Sequence, residues 1–342
     1  MQVNPWFRSF CLVIAVSAVA ACGQQAGSGA QATGDLSQIT IASNPAGTHV
    51  YAVAAGLAKV LQENQDTRTT IRPFSGSSVY LPLLERGEIP LGLNTSIDSY
   101  LSYHGLPPYA KPMKNLRSLG MMFPLPIMYM VRADSDIYRV EDLRGQRVVV
   151  AYRAMAALEQ LHTGILATGG LTDEDIQAMD AAGLPEAMRM LTEGRADAVP
   201  TGLNTALSLQ VHSAIPGGIR YITMGQEEAR LAEVMPGSSV VTVQPDDNGV
   251  GMDGPTRVAT IVDHLNTGTH LSNDQAYKII KIIHQNWSEL RRDYVQMSSV
   301  SPQELVPADN FHPYHPGAVR YYKEVGLWTD AHAANQARLL AN

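Results

Sequence analysis

The stretch Ile39-Thr40-Ile41-Ala42-Ser43-Asn44-Pro45-Ala46-Gly47-Thr48 decides the fold. Two β-branched isoleucines two residues apart read as a short strand, and Asn, Pro and Gly close together read as a loop. After the loop, Val50, Ala54, Leu57, Ala58 and Leu61 recur at offsets of 4, 7, 8 and 11, the period of one helix face. Strand, polar loop and helix follow one another in a single local unit.

That unit recurs. Ser75-Gly76-Ser77-Ser78 joins a strand over 70–74 to a helix over 79–86, and Asn94-Thr95-Ser96 separates a strand over 91–93 from a helix over 97–103. A second set opens at Ile127-Met128-Tyr129-Met130-Val131 and continues with Arg147-Val148-Val149-Val150-Ala151 before a helix over 154–168 that ends at Gly169-Gly170. Thr172-Asp173-Glu174-Asp175 is a capping start for a short helix, and Pro185-Glu186 opens one that Gly194 stops. Leu84-Glu85-Arg86-Gly87-Glu88-Ile89-Pro90-Leu91 and Leu191-Thr192-Glu193-Gly194-Arg195-Ala196-Asp197-Ala198 share the order helix end, glycine stop and strand entry. Alternating strands and helices predict a mostly parallel α/β sheet, here as two related lobes. Further on, Ile279, Ile280, Ile283, Trp287, Leu290 and Tyr294 form one helical stripe over 275–297, which is core packing. Residues 298–314 read as irregular, and a last helix runs over 316–325 before Gly326.

Composition narrows the function. The chain has 342 residues, enough for about two domains of ordinary size, with 45% hydrophobic and 17% charged residues. Its formal charge of −7 argues against binding a phosphate backbone, so a nucleic-acid partner is not expected. Both cysteines, Cys11 and Cys22, fall at the start of the chain, which leaves the body without a disulfide framework, a cysteine metal cluster or a cysteine nucleophile.

The first 21 residues carry one charge, Arg8, and an apolar run over 10–21 broken only by Ser17. The run is too short to span a bilayer well and has the layout of a secretory signal peptide. Val19-Ala20-Ala21-Cys22 resembles the lipobox of bacterial lipoproteins, in which the cysteine is lipidated and becomes the mature N-terminus. A plain exported protein cleaved near Ala21 is the other reading. Residues 22–35, nearly all Gly, Ser, Ala, Gln and Thr after Cys22, then form a flexible tether. The expected location is the periplasmic or cell-surface face of a bacterial membrane, held by lipid alone.

In open α/β sheets ligands sit beyond the strand carboxyl ends, where helix N-termini offer N–H groups and partial positive charge. The candidate ligand residues are therefore Asn44, Gly47, Thr48, Ser75, Gly76, Ser77, Asn94, Thr95 and Ser96, all hydroxyl, amide or glycine positions suited to a carboxylate, although each loop also reads as ordinary helix capping. In the second half Tyr152 and Arg153 follow a strand, and Thr201 and Asn204 follow another. Arg153 could clamp a carboxylate bidentately; its alternative is an exposed arginine at a helix start. No phosphate loop or dinucleotide fingerprint follows these strands, so no cofactor is expected. His312 and His315 lack a recognisable third metal ligand, so no metal is expected either. With no Gly-x-Ser-x-Gly elbow and no His-Glu-x-x-His helix, catalysis has no anchor and a non-enzyme is expected.

Together these pieces resemble the TAXI family of solute-binding subunits that serve TRAP transporters. The resemblance runs from Ile39 to Trp328 through Gly47-Thr48, Phe74-Ser75-Gly76-Ser77-Ser78, Gly87, Tyr103-His104-Gly105, Val140-Glu141-Asp142-Leu143-Arg144-Gly145 and Gly194 with Asp197-Ala198. Its most specific block is His315-Pro316-Gly317-Ala318-Val319-Arg320-Tyr321-Tyr322-Lys323-Glu324-Val325-Gly326. It implies a type II periplasmic-binding fold, two α/β lobes closing at a hinge on a small organic anion such as glutamate or 2-oxoglutarate. The implied partner is a TRAP membrane carrier, with large and small subunits separate or fused. Where the family often has Gly-Ser-Gly-Thr this chain has Ala151-Tyr152-Arg153-Ala154, so a side-chain cation would replace backbone donors. The expected organisation is a signal over 1–21, an anchor and tether over 22–35, lobe I over 36–127 plus 256–342, and lobe II over 128–255. Hinges are expected near 120–131 and 255–266. The rivals are a binding subunit of an ABC importer, a receptor for a sensor kinase and, more distantly, an exported enzyme on the same fold.

Overall fold

Residues 37–245 and 249–341 are described from a computed structural model. The signal peptide, Cys22 and the tether lie outside the described residues. The first unit is as the opening stretch predicts: β1 (Gln38–Ser43) leads to α1 (His49–Asn64), whose first turn is capped by the Thr48 hydroxyl accepting from the Tyr51 N–H at 3.2 Å. All five residues of the predicted α1 stripe are buried. Next come β2 (Arg68–Pro73), α2 (Ser77–Glu85), β3 (Leu91–Thr95) and α3 (Ser96–His104). Asn94 and Thr95 belong to the strand rather than to a loop, because Thr95 itself caps α3 and leaves no room for a linker.

A 17-residue strand, β4 (Leu116–Arg132), crosses to the second half. There β5 (Arg147–Tyr152), α4 (Ala156–Thr168), β6 (Gln177–Ala181), α5 (Leu184–Thr192), β7 (Ala198–Gly202), α6 (Ala206–Ala214), β8 (Ile219–Tyr221), α7 (Ala229–Val234) and β9 (Ser239–Val243) follow. The chain returns through β10 (Thr256–Gly268) and finishes with α8 (Asn273–Gln285), α9 (Trp287–Asp293), α10 (Pro316–Glu324) and α11 (Asp330–Ala341). The single helix expected over 275–297 is broken at Asn286, although Ile279, Ile280, Ile283, Trp287 and Leu290 are buried as the stripe requires. The helix expected to be last is followed by α11.

The strands form one sheet in the order β2-β1-β3-β10-β4-β7-β5-β6, with β8 beside β4 and β9 beside β10. Around β1 and around β5 the pairing is parallel, while β10 runs antiparallel to both β3 and β4, and β4 antiparallel to β7. The sheet is thus mixed, not mostly parallel. The two long strands cause this: β4 pairs with β10 through most of its length and with β7 from Ile127 onward, so each strand serves both halves. Their length was hidden because Pro124 and Pro126 interrupt the hydrophobic run of β4. Standing two residues apart, these prolines leave donor gaps on only one side of the strand.

Two apolar cores result. One packs Ile39, Ile41, Leu57, Leu93, Ile280 and Trp287 between the sheet and α1, α8 and α9. The other runs from Tyr80 and Leu84 under α2 to Met128, Val148, Ile165 and Leu191 in the second half. No helix among the described residues is long and apolar enough to cross a membrane.

Candidate functional site

A cavity lies where the carboxyl ends of β1 and β7 meet the helices that follow them. It is lined by Asn44 after β1, by Thr48, His49 and Val50 at the start of α1, and by Leu125 and Ile127 on β4. From the second half come Met155 and Leu158 of α4, Leu184 of α5, Thr201 and Gly202 of β7, and Thr205 and Leu207 at the start of α6. Its volume is about 40 Å3, where one water needs about 10–15 Å3, so the space is small. Among the described residues no charged side chain lines it. The N-termini of α1 and α6 face it from opposite lobes, each capped by a threonine: Thr48 for α1, and Thr205, which accepts from the Ser208 N–H at 3.1 Å, for α6. A helix start carries partial positive charge, which favours an anionic group, although at α6 the Leu207 and Ser208 N–H groups are already bonded to Gly47 and Thr205.

Three of the candidates read from the sequence, Asn44, Thr48 and Thr201, line the cavity. Gly47 stands at its rim and accepts from the Leu207 N–H of α6 at 3.3 Å through its carbonyl. The others are elsewhere. Ser77 is buried with its side chain bonded to Asp98, and Gly76 is buried against the loop after β5, where the Ser78 N–H donates to the Ala154 carbonyl at 3.1 Å and the Ala156 N–H donates to the Ser78 hydroxyl at 3.2 Å. The close backbone approach that Gly76 allows is therefore made by the other lobe. Ser75 is exposed. Asn94 is spent internally, donating to Ser99 at 2.8 Å and accepting from Asn266 at 2.8 Å, and Thr95 donates to Asp98 at 2.9 Å. The Ser96 hydroxyl is buried without a partner, away from this cavity.

In the second half the Tyr152 hydroxyl donates to the Pro200 carbonyl at 2.8 Å, bracing β5 against β7. Arg153 is exposed and does not line the cavity. Asn204, at φ 53°, accepts from the Val250 N–H at 3.1 Å and so pins the segment before β10.

The sequence reading missed His49. Its Nε2 meets the Leu203 carbonyl at 2.5 Å and its Nδ1 meets the Gln296 amide nitrogen at 3.0 Å. The amide nitrogen can only donate, so Nδ1 accepts, and the proton sits on Nε2 facing Leu203. Burial lowers the His49 pKa, with the Leu203 carbonyl partly opposing it, which agrees with a neutral ring bridging the lobes. Thr205 was missed as well, although a threonine just before an apolar run is a cap signal. Behind the site lie two fully buried carboxyls. Asp98 is held by Thr95, while both oxygens of Asp263, the residue paired with Thr95 across β3 and β10, have no partner. Burial raises the pKa of both, and in Asp263 the nearby Asp98 adds to the rise.

The sequence model of the NMT1-like family matches residues 41–326. Among solved structures, periplasmic binding protein BugD superposes with a TM-score of 0.55 at 11% identity, over 88% of this chain and 98% of that one. A second, described as a periplasmic transporter, gives 0.53 at 10% identity over 88% and 95%. The alkanesulfonate-binding protein SsuA from Xanthomonas axonopodis pv. citri, solved bound to MOPS, gives 0.47 at 17% identity over 90% and 95%. The likeness is one of fold: two α/β lobes with a cleft between them, as in periplasmic binding proteins.

Proposed function

The chain belongs to the NMT1-like family, and on that premise we propose that it is an extracytoplasmic binding protein for a small organic anion, which it delivers to a membrane carrier without chemical change. One observation carries this reading: helix N-termini from both lobes converge on one cavity. Closing the lobes brings both termini to the ligand, so binding and closure are a single event. The bonds already made between the halves, from Ser78 to Ala154, Leu207 to Gly47 and His49 to Leu203, favour the closed state that a carrier would recognise. Lobe I is taken as 36–127 plus 256–342 and lobe II as 128–255, with β4 and β10 as the hinge.

The carrier is assigned as a TRAP type, large and small subunits separate or fused, on the TAXI-like motifs, which also suggest glutamate or 2-oxoglutarate as candidate solutes. Cys22 is assigned as the lipid attachment point that holds the protein at a bacterial membrane. Thermal shifts of the purified protein against carboxylates and neutral sugars test the ligand class, because a ligand that binds only the folded state raises its stability. A shift confined to carboxylates supports the proposal, and a response to sugars alone overturns it. For the carrier, the test is uptake in vesicles holding the neighbouring membrane subunits. Dependence on an ion gradient supports a TRAP partner, and dependence on ATP replaces it with an ABC importer.

A further inference from the structure

A second pocket, of about 230 Å3, opens between α3, α4 and the chain that follows α7, and it shares no lining residue with the cavity between α1 and α6. We propose that it is a separate binding site for a neutral, mostly apolar molecule of about one ring that carries a single hydrogen-bonding group. Its occupant is independent of the solute bound in the first cavity.

The walls set the class. Ile97 and Tyr100 of α3, Leu106 just after it, Phe311 from the segment before α10, and Val234 and Met235 at the end of α7 make most of the lining. Tyr100, Leu106 and Val234 are 43%, 36% and 42% exposed, so three large apolar side chains meet water at one place that a bound apolar molecule would cover. An apolar cavity of roughly 150 Å3 is enough to hold benzene, so the volume here admits one ring with a short substituent.

Among the described residues no charged side chain lines the pocket, and an ionised ligand would leave water without a counter-charge. Gln160 of α4 supplies the polar contact. It is exposed where it lines the pocket and makes no hydrogen bond to another described residue, so its amide is free to donate to, or accept from, one group of a ligand.

The wall is in place before any ligand arrives. Phe311 meets Tyr100 edge-on with ring centres 6.0 Å apart, and it rests on Gly237, where a Cβ would stand 2.4 Å from Phe311 Cζ. Gly237 also has φ 89°, so its backbone and its close contact both call for glycine. A wall already ordered spares a ligand the cost of ordering it.

The test is fluorine NMR titration of the purified protein with 4-fluorophenol, fluorobenzene and 4-fluorobenzoate, which share one ring. The expected result is a dissociation constant on the order of 1 mM or tighter for 4-fluorophenol, with fluorobenzene weaker by about fivefold. Val234→Trp fills the pocket and should weaken 4-fluorophenol by about tenfold or more, while Gln160→Leu should bring it to within about twofold of fluorobenzene. Both residues are exposed, so both variants should melt near the parent temperature.

Failure of 4-fluorophenol to bind, or binding that Val234→Trp leaves unchanged, overturns the proposal. One-for-one displacement of the phenol by a carboxylate also overturns it, by placing the ring in the first cavity, and leaves the anion reading intact. Equally tight binding of 4-fluorobenzoate that is lost in Val234→Trp overturns the neutral class.

Discussion

Substituting Gly76 by alanine should separate closure from folding. Gly76 has φ 170° and ψ 173°, an extended conformation open to any residue, so the substitution adds no backbone strain. The obstacle is across the cleft. A Cβ at Gly76 would stand 2.1 Å from the Ala154 carbonyl oxygen and 2.4 Å from Met155 Cγ. The oxygen belongs to backbone and cannot swing away, so the lobes must part there by about 1 Å to restore ordinary contact. That displacement breaks two bonds between the halves, Ser78 N–H to Ala154 at 3.1 Å and Ala156 N–H to Ser78 at 3.2 Å. At about 1 kcal/mol each the closed state loses about 2 kcal/mol, and ligand affinity should fall about thirtyfold. Without ligand the protein should still fold, with a lowered melting temperature, because the core around Ile39, Leu57 and Trp287 is untouched while the other core runs from α2 into the second half and is loosened with the contact. Titration calorimetry reads the affinity, and small-angle scattering with saturating ligand reads a larger radius of gyration if closure is incomplete. Unchanged affinity in a folded Gly76→Ala protein would refute the assignment of this contact to closure.

Three further outcomes follow from the same geometry. Arg153→Ala should change affinity less than about threefold, since its exposed guanidinium lies outside the cavity, and a calorimetric loss beyond tenfold would restore it as a ligand contact. Asp263→Asn should stabilise the protein at pH 8 and change it little at pH 4. The buried carboxyl has a folded pKa above its unfolded value, so its favourable contribution is complete below about pH 4 and is lost as pH rises through the folded value. Melting temperatures of the two proteins that run parallel across that range would show that Asp263 is not buried as an acid. Cys22→Ser should move the protein from the membrane fraction to the soluble exported fraction on cell fractionation, and retention at the membrane would remove the lipid anchor.

Repeated local units, read at the level of single strands and helices, determined the α/β class and the two-lobed plan. Periodicity and capping are local signals, so β1, α1, β5, the glycine stop at Gly194 and the packing stripe through Trp287 were all legible. Asn44, Thr48 and Thr201 were legible as cavity residues for a related reason: ligands in such sheets lie past strand ends, and strand ends can be counted along the chain. The mixed direction of the sheet was not legible, because the antiparallel place of β10 between β3 and β4 joins residues far apart in sequence and leaves no local mark. Nor was the division of labour among the polar loops. Gly76, Ser77 and Thr95 lie in polar segments like that of Asn44, yet Gly76 meets the opposite lobe, and Ser77 and Thr95 hold Asp98. His49 gained its bridging role only when folding brought Leu203 and Gln296 to opposite sides of one ring. A side chain's chemistry is written in its residue type, but whether its hydrogen bonds are already spent depends on neighbours that only the tertiary fold supplies.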